Sequence, residues 1–467
     1  MSKNLRNGLI AVAVGVIIWF LPAPAGLKVQ AWHLFAIFVA TILGFILQPM
    51  PIGAIAFISL GFAGLLGVLK PADILTGFGN TTMWLIVSAF LFAKGFIKTG
   101  LGRRIAYKIM AAIGDSSLKL SYALALSDLV ISPATPSNTA RGGGILYPIV
   151  RSLCSAFDSE PGKSERKIGA YLMTSSFQSN CITSAMFLTS CAPNVLLATF
   201  ALQTAKVQLT WGAWALAGIV PGLVALAICP YVIYKIYPPE ITKTPEARVI
   251  ANQELKKMGL TSRGEKVVAG TFILALILWS TASLTKIDAT VAAMVCVGIM
   301  LLGQALEWKD VIEEKGAWDT LVWMGGLISL AGALDKVGFI GWFAKNVSGS
   351  LAGFSWEVAL GILFLVYMYS HYAFASLSAH VTAMYAAFLA VAVAAGAPPF
   401  LAAMGLGVIS ALFGGLTHYA TGPAPIYFGS GYVSQGTWWK IGFVMSVINL
   451  IVFIGFGAVW WKVVGLW

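Results

Sequence analysis

Residues 132–144 read SPATPSNTARGGG, and they interrupt a chain otherwise written in long apolar runs. Pro133 and Pro136 lack an amide donor and disfavour helix in the residue before each of them. Ser137, Asn138 and Thr139 are all helix N-cap types. The stretch therefore predicts a helix over 119–132, a polar tip, and a second helix over 139–152. At about 1.5 Å per residue each arm spans roughly 20 Å, too short for a hydrocarbon core of roughly 30 Å. Segment 119–152 is expected to enter a membrane and turn back. Backbone broken at that depth must face protein or a wet cavity. Free amide N–H groups at a helix start, flanked by hydroxyl and carboxamide side chains, make an anion-binding geometry, and Arg141 stands beside it.

The 467 residues are 58% hydrophobic and 10% charged, with a mean hydropathy of +0.85. The expected class is an all-α polytopic membrane protein. A β-barrel is excluded because the apolar runs are continuous rather than alternating. Apolar spans fall near 8–22, 31–48, 52–69, 78–98, 170–200, 210–234, 267–285, 287–306, 317–343, 400–430 and 439–463. Stretches 119–152 and 356–397 read as hairpins. The net charge of +12 follows this topology rather than marking a nucleic-acid partner. With the N-terminus inside, inside loops hold 21 of the 30 Lys and Arg residues. Outside loops hold six, Lys28, Lys70, Lys206, Lys286, Lys345 and Lys462. That bias predicts a cytoplasmic N-terminus and an outside C-terminus after eleven crossings, as for a protein of a bacterial inner (plasma) membrane. The first apolar stretch does not read as a cleaved signal. The five cysteines show no metal-ligand spacing, and no metal or cofactor is expected.

The chain is written twice. Residues 77–102 resemble 316–341: Trp84 matches Trp323, and Gly100 matches Gly338. TSCAPNVL (189–196) resembles ATGPAPIY (420–427). An odd number of crossings separates the copies, so they are expected to be inverted, as in secondary transporters with a midplane site. The expected organisation is N-terminal scaffold helices (1–76), a first repeat (77–235), a cytoplasmic linker (236–266), further scaffold helices (267–315) and a second repeat (316–467). The tip of the second hairpin is expected at ASLSAHVTA (375–383), with Ser376, Ser378, His380 and Thr382 as its polar groups. Pro193–Asn194 and Gly422–Pro423 are expected to unwind the spans facing the two tips.

Charged or titratable residues within the apolar segments are few, and such residues are functional candidates. Asp128 reads as a partner of Arg141 within the first hairpin. His371 reads as structural. Arg141, His380 and His418 lie at or beside the breaks, where they add positive charge, so the cargo is expected to be an anion.

SPATPSNTAR, LSAH and LTHYATGPAPIYFGSGYV resemble the divalent anion/sodium symporter family, in its citrate/succinate and 2-oxoglutarate/malate translocator branch. The resemblance covers the whole chain. It implies eleven spans, two re-entrant hairpins, scaffold and transport domains, an elevator movement and a homodimer. It also implies that substrate lies between Ser-Asn-Thr signatures at the two tips. The first is intact as Ser137-Asn138-Thr139. The second reads Ser378-Ala379-His380, a departure that argues against sodium coupling. Fixed positive groups cannot leave with the substrate, so an empty carrier would bury unpaired charge. The expectation is therefore a sodium-independent antiporter of di- and tricarboxylates: succinate, malate, fumarate, 2-oxoglutarate, citrate. Ser137, Asn138, Thr139, Ser378, His380 and Thr382 would bind substrate. Pro193, Asn194, Thr421 and Pro423 would form the opposite wall, and Arg141, His380 and His418 would compensate charge. The alternative is a sodium- or proton-coupled symporter on the same fold. No paired catalytic carboxylates, HExxH, GxGxxG or P-loop motif suggests an enzyme.

Overall fold

The computed structural model describes residues 2–348 and 354–467, and among them every regular element is helical. Seven helices are long and apolar enough to cross a membrane: Lys3–Phe20, Val29–Leu47, Thr81–Thr99, Trp211–Ile236, Lys315–Lys336, Leu377–Ala394 and Gln435–Val463. Ile52–Leu65, Ala289–Leu302 and Pro399–Gly415 are shorter apolar helices. The outside-loop residue Lys345 has its side chain outside the described residues, as do residues 349–353 of the second repeat.

The two halves repeat one order of elements. Thr81–Thr99 is followed by the amphipathic helix Leu101–Ile113, and Lys315–Lys336 by Phe339–Ser348. The separating residues, Gly100 and Gly338, both adopt left-handed backbone, at φ 79° and 83°. This conformation favours glycine and ends a helix. Each half then has a helix (Ser117–Ile131; Trp356–Tyr369) that tightens into a 3-10 turn (Ser132–Ala134; Ser370–Ala373). Beyond each break a π-helical stretch follows, Ala140–Leu146 in one half and Val381–Tyr385 in the other. Short π segments of this kind commonly mark functional positions. Next, Gly169–Met186 breaks before Ala192–Ala205, and Pro399–Leu412 breaks before Ala424–Gly429.

Several boundaries differ from the sequence reading. Spans 170–200 and 400–430 are each divided, at 187–191 and 416–423. Span 317–343 is two helices, because Gly338 turns the chain. Loop 98–118 and linker 236–266 contain the helices Leu101–Ile113 and Pro245–Met258, which pack against each other. Their charge hid their periodicity. The second break falls at 370–376, upstream of the expected tip 375–383. Ser378, His380 and Thr382 therefore lie on the following helical arm. That arm, Leu377–Ala394, is long and apolar enough to cross a membrane.

Gly169–Met186 is the centre of the molecule, and every one of its residues is buried. It packs against Ser117–Ile131, Trp211–Ile236 and Pro399–Leu412. Its polar residues therefore answer to other protein groups rather than to lipid.

Candidate anion site at the broken helices

The first break is held by its own caps. Ser137 Oγ accepts the amide of Ala140 at 3.1 Å. Asn138, 7% exposed, donates from Nδ2 to Thr421 Oγ1 at 2.8 Å. This bond joins the first tip to the unwound segment of the other half. Thr139 packs against Gly422, where an added Cβ would approach Thr139 Cβ to 3.2 Å. A larger residue at 422 would push the tip away, which is a reason for glycine there.

On the other side, Ser376 Oγ caps the arm Leu377–Ala394 by accepting from the amide of Ala379 at 3.4 Å. Ser378 is half-buried. Thr382 is buried, and its Oγ1 lacks a hydrogen-bond partner, as do Thr417 Oγ1 and Asn194 Oδ1. Asn194 Nδ2 donates to the carbonyls of Ser184 (2.7 Å) and Phe187 (3.0 Å), satisfying the frayed end of Gly169–Met186. Pro193 lies in the first turn of Ala192–Ala205, where a missing amide costs nothing. Pro425 takes the corresponding place in Ala424–Gly429, and Pro423 is the N-cap residue before it.

Arg141 is fully buried and fully engaged. Nε donates to Asp128 Oδ1 at 3.0 Å and one terminal nitrogen to the carbonyls of Thr135 (2.6 Å) and Ser190. The other terminal nitrogen donates to Ser184 Oγ at 3.0 Å. The second Asp128 oxygen accepts from Asn180 Nδ2 at 3.0 Å and from the Thr183 hydroxyl. The sequence pairing of Asp128 with Arg141 agrees with this geometry. The assignment of Arg141 as free compensating charge does not, because Asp128 neutralises it. Its donors instead tie the first tip to the break at 187–191. The sequence reading also passed over Asn180, Thr183 and Ser184. Their signal was present, since TSSFQSNCITS (174–184) is dense in hydroxyl and amide side chains inside an apolar chain.

His418 lies in the break 416–423. Its Nδ1 accepts from Trp439 Nε1 at 3.1 Å, and an indole nitrogen only donates, so this ring nitrogen is turned to Trp439. Phe428 lies against it, with ring centres 4.5 Å apart. His380 is buried on the second arm, and its Nδ1 is 2.9 Å from Nδ1 of His371. His371, read from sequence as structural, is thus the direct partner of a candidate site residue.

A cavity of about 780 Å³ opens between Asn80–Thr82, Val195–Leu202 and Lys286–Thr290. It borders the break at Leu188 but is not lined by the tip side chains.

The chain matches the family described as the sodium:sulfate symporter transmembrane region over residues 2–467. It is 55% identical to YflS of Bacillus subtilis (strain 168), which is named as a candidate malate transporter. That match covers 98% of this chain and 96% of the relative. It is 46% identical to the chloroplastic dicarboxylate transporter 1 of Spinacia oleracea, over 100% of this chain and 82% of the relative. In fold it is similar to the crystal structure of the Alcanivorax borkumensis YdaH transporter. The TM-score is 0.58 at 12% identity, covering 99% of this chain and 98% of that one.

Proposed function

The chain belongs to the sodium:sulfate symporter family of membrane transporters, and we propose that it exchanges one di- or tricarboxylate for another without sodium. It is an integral membrane transporter, not an enzyme. The names of its relatives support a dicarboxylate cargo, with malate first among succinate, fumarate, 2-oxoglutarate and citrate.

The observation that carries the reading is the bond from Asn138 to Thr421. It brings the first signature and the opposite unwound segment together, with capped helix starts at 137–140 and 376–379. Helix starts present amide N–H groups and positive dipole ends, which suit carboxylates. In this reading Ser137, Asn138 and Thr139 bind one carboxylate and Ser378 and Thr382 another, with His380 beside them, its two ring nitrogens turned to Ser370 and His371. Pro193, Asn194, Thr421 and Pro423 shape the wall. The positive helix-start dipoles stay behind when the anion leaves, so the carrier returns readily only with another anion. Eleven crossings, re-entrant hairpins, inverted repeats, an elevator movement, a cytoplasmic N-terminus and a homodimer belong to the same reading.

Uptake of labelled succinate into proteoliposomes, empty or preloaded with unlabelled malate, each with and without a sodium gradient, tests it. Exchange predicts uptake only into preloaded vesicles and no response to sodium. One observation favours a second reading, sodium-coupled symport: Thr382 Oγ1, Thr417 Oγ1 and Asn194 Oδ1 are buried oxygens without partners, a donor type that suits a cation. Sodium-driven uptake into empty vesicles would select that reading and overturn the exchanger.

A further inference from the structure

Three groups were candidates for positive charge beside the anion. Arg141 is paired with Asp128, and Nδ1 of His418 is taken by Trp439. The remaining group is not one histidine but two. We propose that His371 and His380 form a single proton-binding site that fills when a dianion occupies the neighbouring tips. The transported charge is then dianion plus one proton. The proposal rests on the carboxylate-exchange reading above.

The hydrogen-bond geometry sets the number of protons. His371 Nε2 lies 3.0 Å from the carbonyl of Ala420, which can only accept, so Nε2 carries hydrogen. The two Nδ1 atoms are 2.9 Å apart, a separation that requires one hydrogen between them. With both rings neutral, that hydrogen belongs to His380, and His380 Nε2 is bare. Ser370 Oγ, 3.1 Å from this nitrogen, is also 3.1 Å from the carbonyl of Tyr367. One hydroxyl hydrogen then faces three acceptors, the third being Met384 Sδ at 3.5 Å. Adding a proton to His380 Nε2 turns that contact into a donor–acceptor pair: Nε2 donates to Ser370 Oγ, and the hydroxyl hydrogen is left for Tyr367 and the weaker acceptor Met384. A second added proton would place hydrogens on both Nδ1 atoms and is excluded. The cluster therefore has room for one excess proton and no more.

The surroundings tie this proton to the anion. Both rings are buried and stack on Phe413, with ring centres 3.9 and 4.4 Å away. From the helix Trp356–Tyr369, Tyr367 faces His380, its hydroxyl engaged with Ser410 at 2.8 Å. The same helix carries Glu357, ten residues before Tyr367 and roughly 15 Å away along its axis. Segment 416–423 contributes Tyr419 and His418, whose Nδ1 is taken by Trp439. The helices Ala192–Ala205 and Val29–Leu47 also pack against the start of this arm. Ala192–Ala205 has no titratable residue, and Val29–Leu47 has only His33, which stacks on Trp19. Neither Pro399–Leu412 nor Ala386–Ala394 carries a charge. Among the described residues, then, no carboxylate touches the two rings. An imidazolium here would be buried and unpaired unless an anion stood nearby. The path to the anion site is short. Ala420, bonded by His371, precedes Thr421, which accepts from Asn138 of the first signature.

The test uses the purified full-length protein in weakly buffered detergent solution with a pH indicator. The probe is fumarate, whose carboxyls are both ionised from about pH 6.5 to 8. Saturating fumarate is expected to draw up about one proton per protomer, and none in His380→Gln. In proteoliposomes, KM for fumarate is expected to rise toward tenfold per pH unit on the alkaline side. Ser370→Ala keeps both rings but removes the acceptor for the added proton. It is expected to move the KM profile toward lower pH while fumarate still stabilises the protein thermally. Thermal stabilisation by fumarate without proton uptake, together with a flat KM profile, would overturn the proton site alone. Absence of stabilisation by fumarate, malate and succinate would overturn the carboxylate reading, and the proton site with it.

Discussion

Asp128 and Arg141 stand on either side of the first break, thirteen residues apart, and their side chains meet at 3.0 Å in a site closed to solvent. Every other side-chain nitrogen and oxygen of the two groups also has a partner, among Thr135, Asn180, Thr183, Ser184 and Ser190. A buried ion pair is tolerable only when satisfied in this way, and removing one member strands the other. Arg141→Ala is therefore expected to destabilise the protein by about 3–5 kcal/mol, and Asp128→Ala similarly. The double variant Asp128→Asn/Arg141→Gln is expected to recover part of the loss. Thermal unfolding of the purified variants checks this. A folded, wild-type-stable Arg141→Ala protein that has lost exchange would instead return Arg141 to direct contact with the anion.

The bond from Asn138 to Thr421 makes a second prediction. Asn138→Ala removes a cross-half contact and a proposed anion ligand together. KM for succinate exchange is expected to rise at least about tenfold, equivalent to about 1.4 kcal/mol. Thr421→Ser keeps the accepting hydroxyl and is expected to stay within about threefold of wild type. Concentration series of labelled succinate exchange distinguish the two. Equal effects of both substitutions would show that the Thr421 methyl, not its hydroxyl, matters.

Close packing around the break after Met186 gives a third. An added Cβ at Gly218 would lie 3.0 Å from Met186 Cα and closer still to its carbonyl. These are backbone atoms that cannot turn aside. Gly218→Ala is expected to cost about 1–3 kcal/mol and lower the melting temperature. Gly212→Ala, in the same helix, meets no atom nearer than 3.9 Å and is the control expected to melt with wild type.

His418 supplies a fourth. Its Nδ1 is occupied by Trp439, so that nitrogen offers no donor to an anion. His418→Gln retains an acceptor for the indole and is expected to change succinate exchange less than about twofold. A loss comparable to that of His380→Gln would reinstate a charge role for this residue.

Much of the architecture was legible because helix breaks have local causes. Proline removes a donor wherever it stands, and SPATPSNT therefore announced its break with arms close to Ser117–Ile131 and 140–156. Gly100 and Gly338 ended corresponding helices for an equally local reason, their left-handed backbone. The second break lacks proline, so its position at 370–376 rather than 375–383 was not written in residue types. The amphipathic helices Leu101–Ile113 and Pro245–Met258 were hidden in charged stretches that read as loops.

The sequence alone determined the membrane class, the doubled plan and the polar identity of both breaks, since hydropathy, proline and glycine act within a few residues. The tertiary structure decided which of the buried groups keep a charge. Asp128 reaches Arg141 across a break, Trp439 reaches His418 over 21 residues, and His371 meets His380 only when a 3-10 turn folds one ring onto the other. Whether a titratable group is charged depends on what stands within a few ångströms of it in space, and chain order does not record that distance.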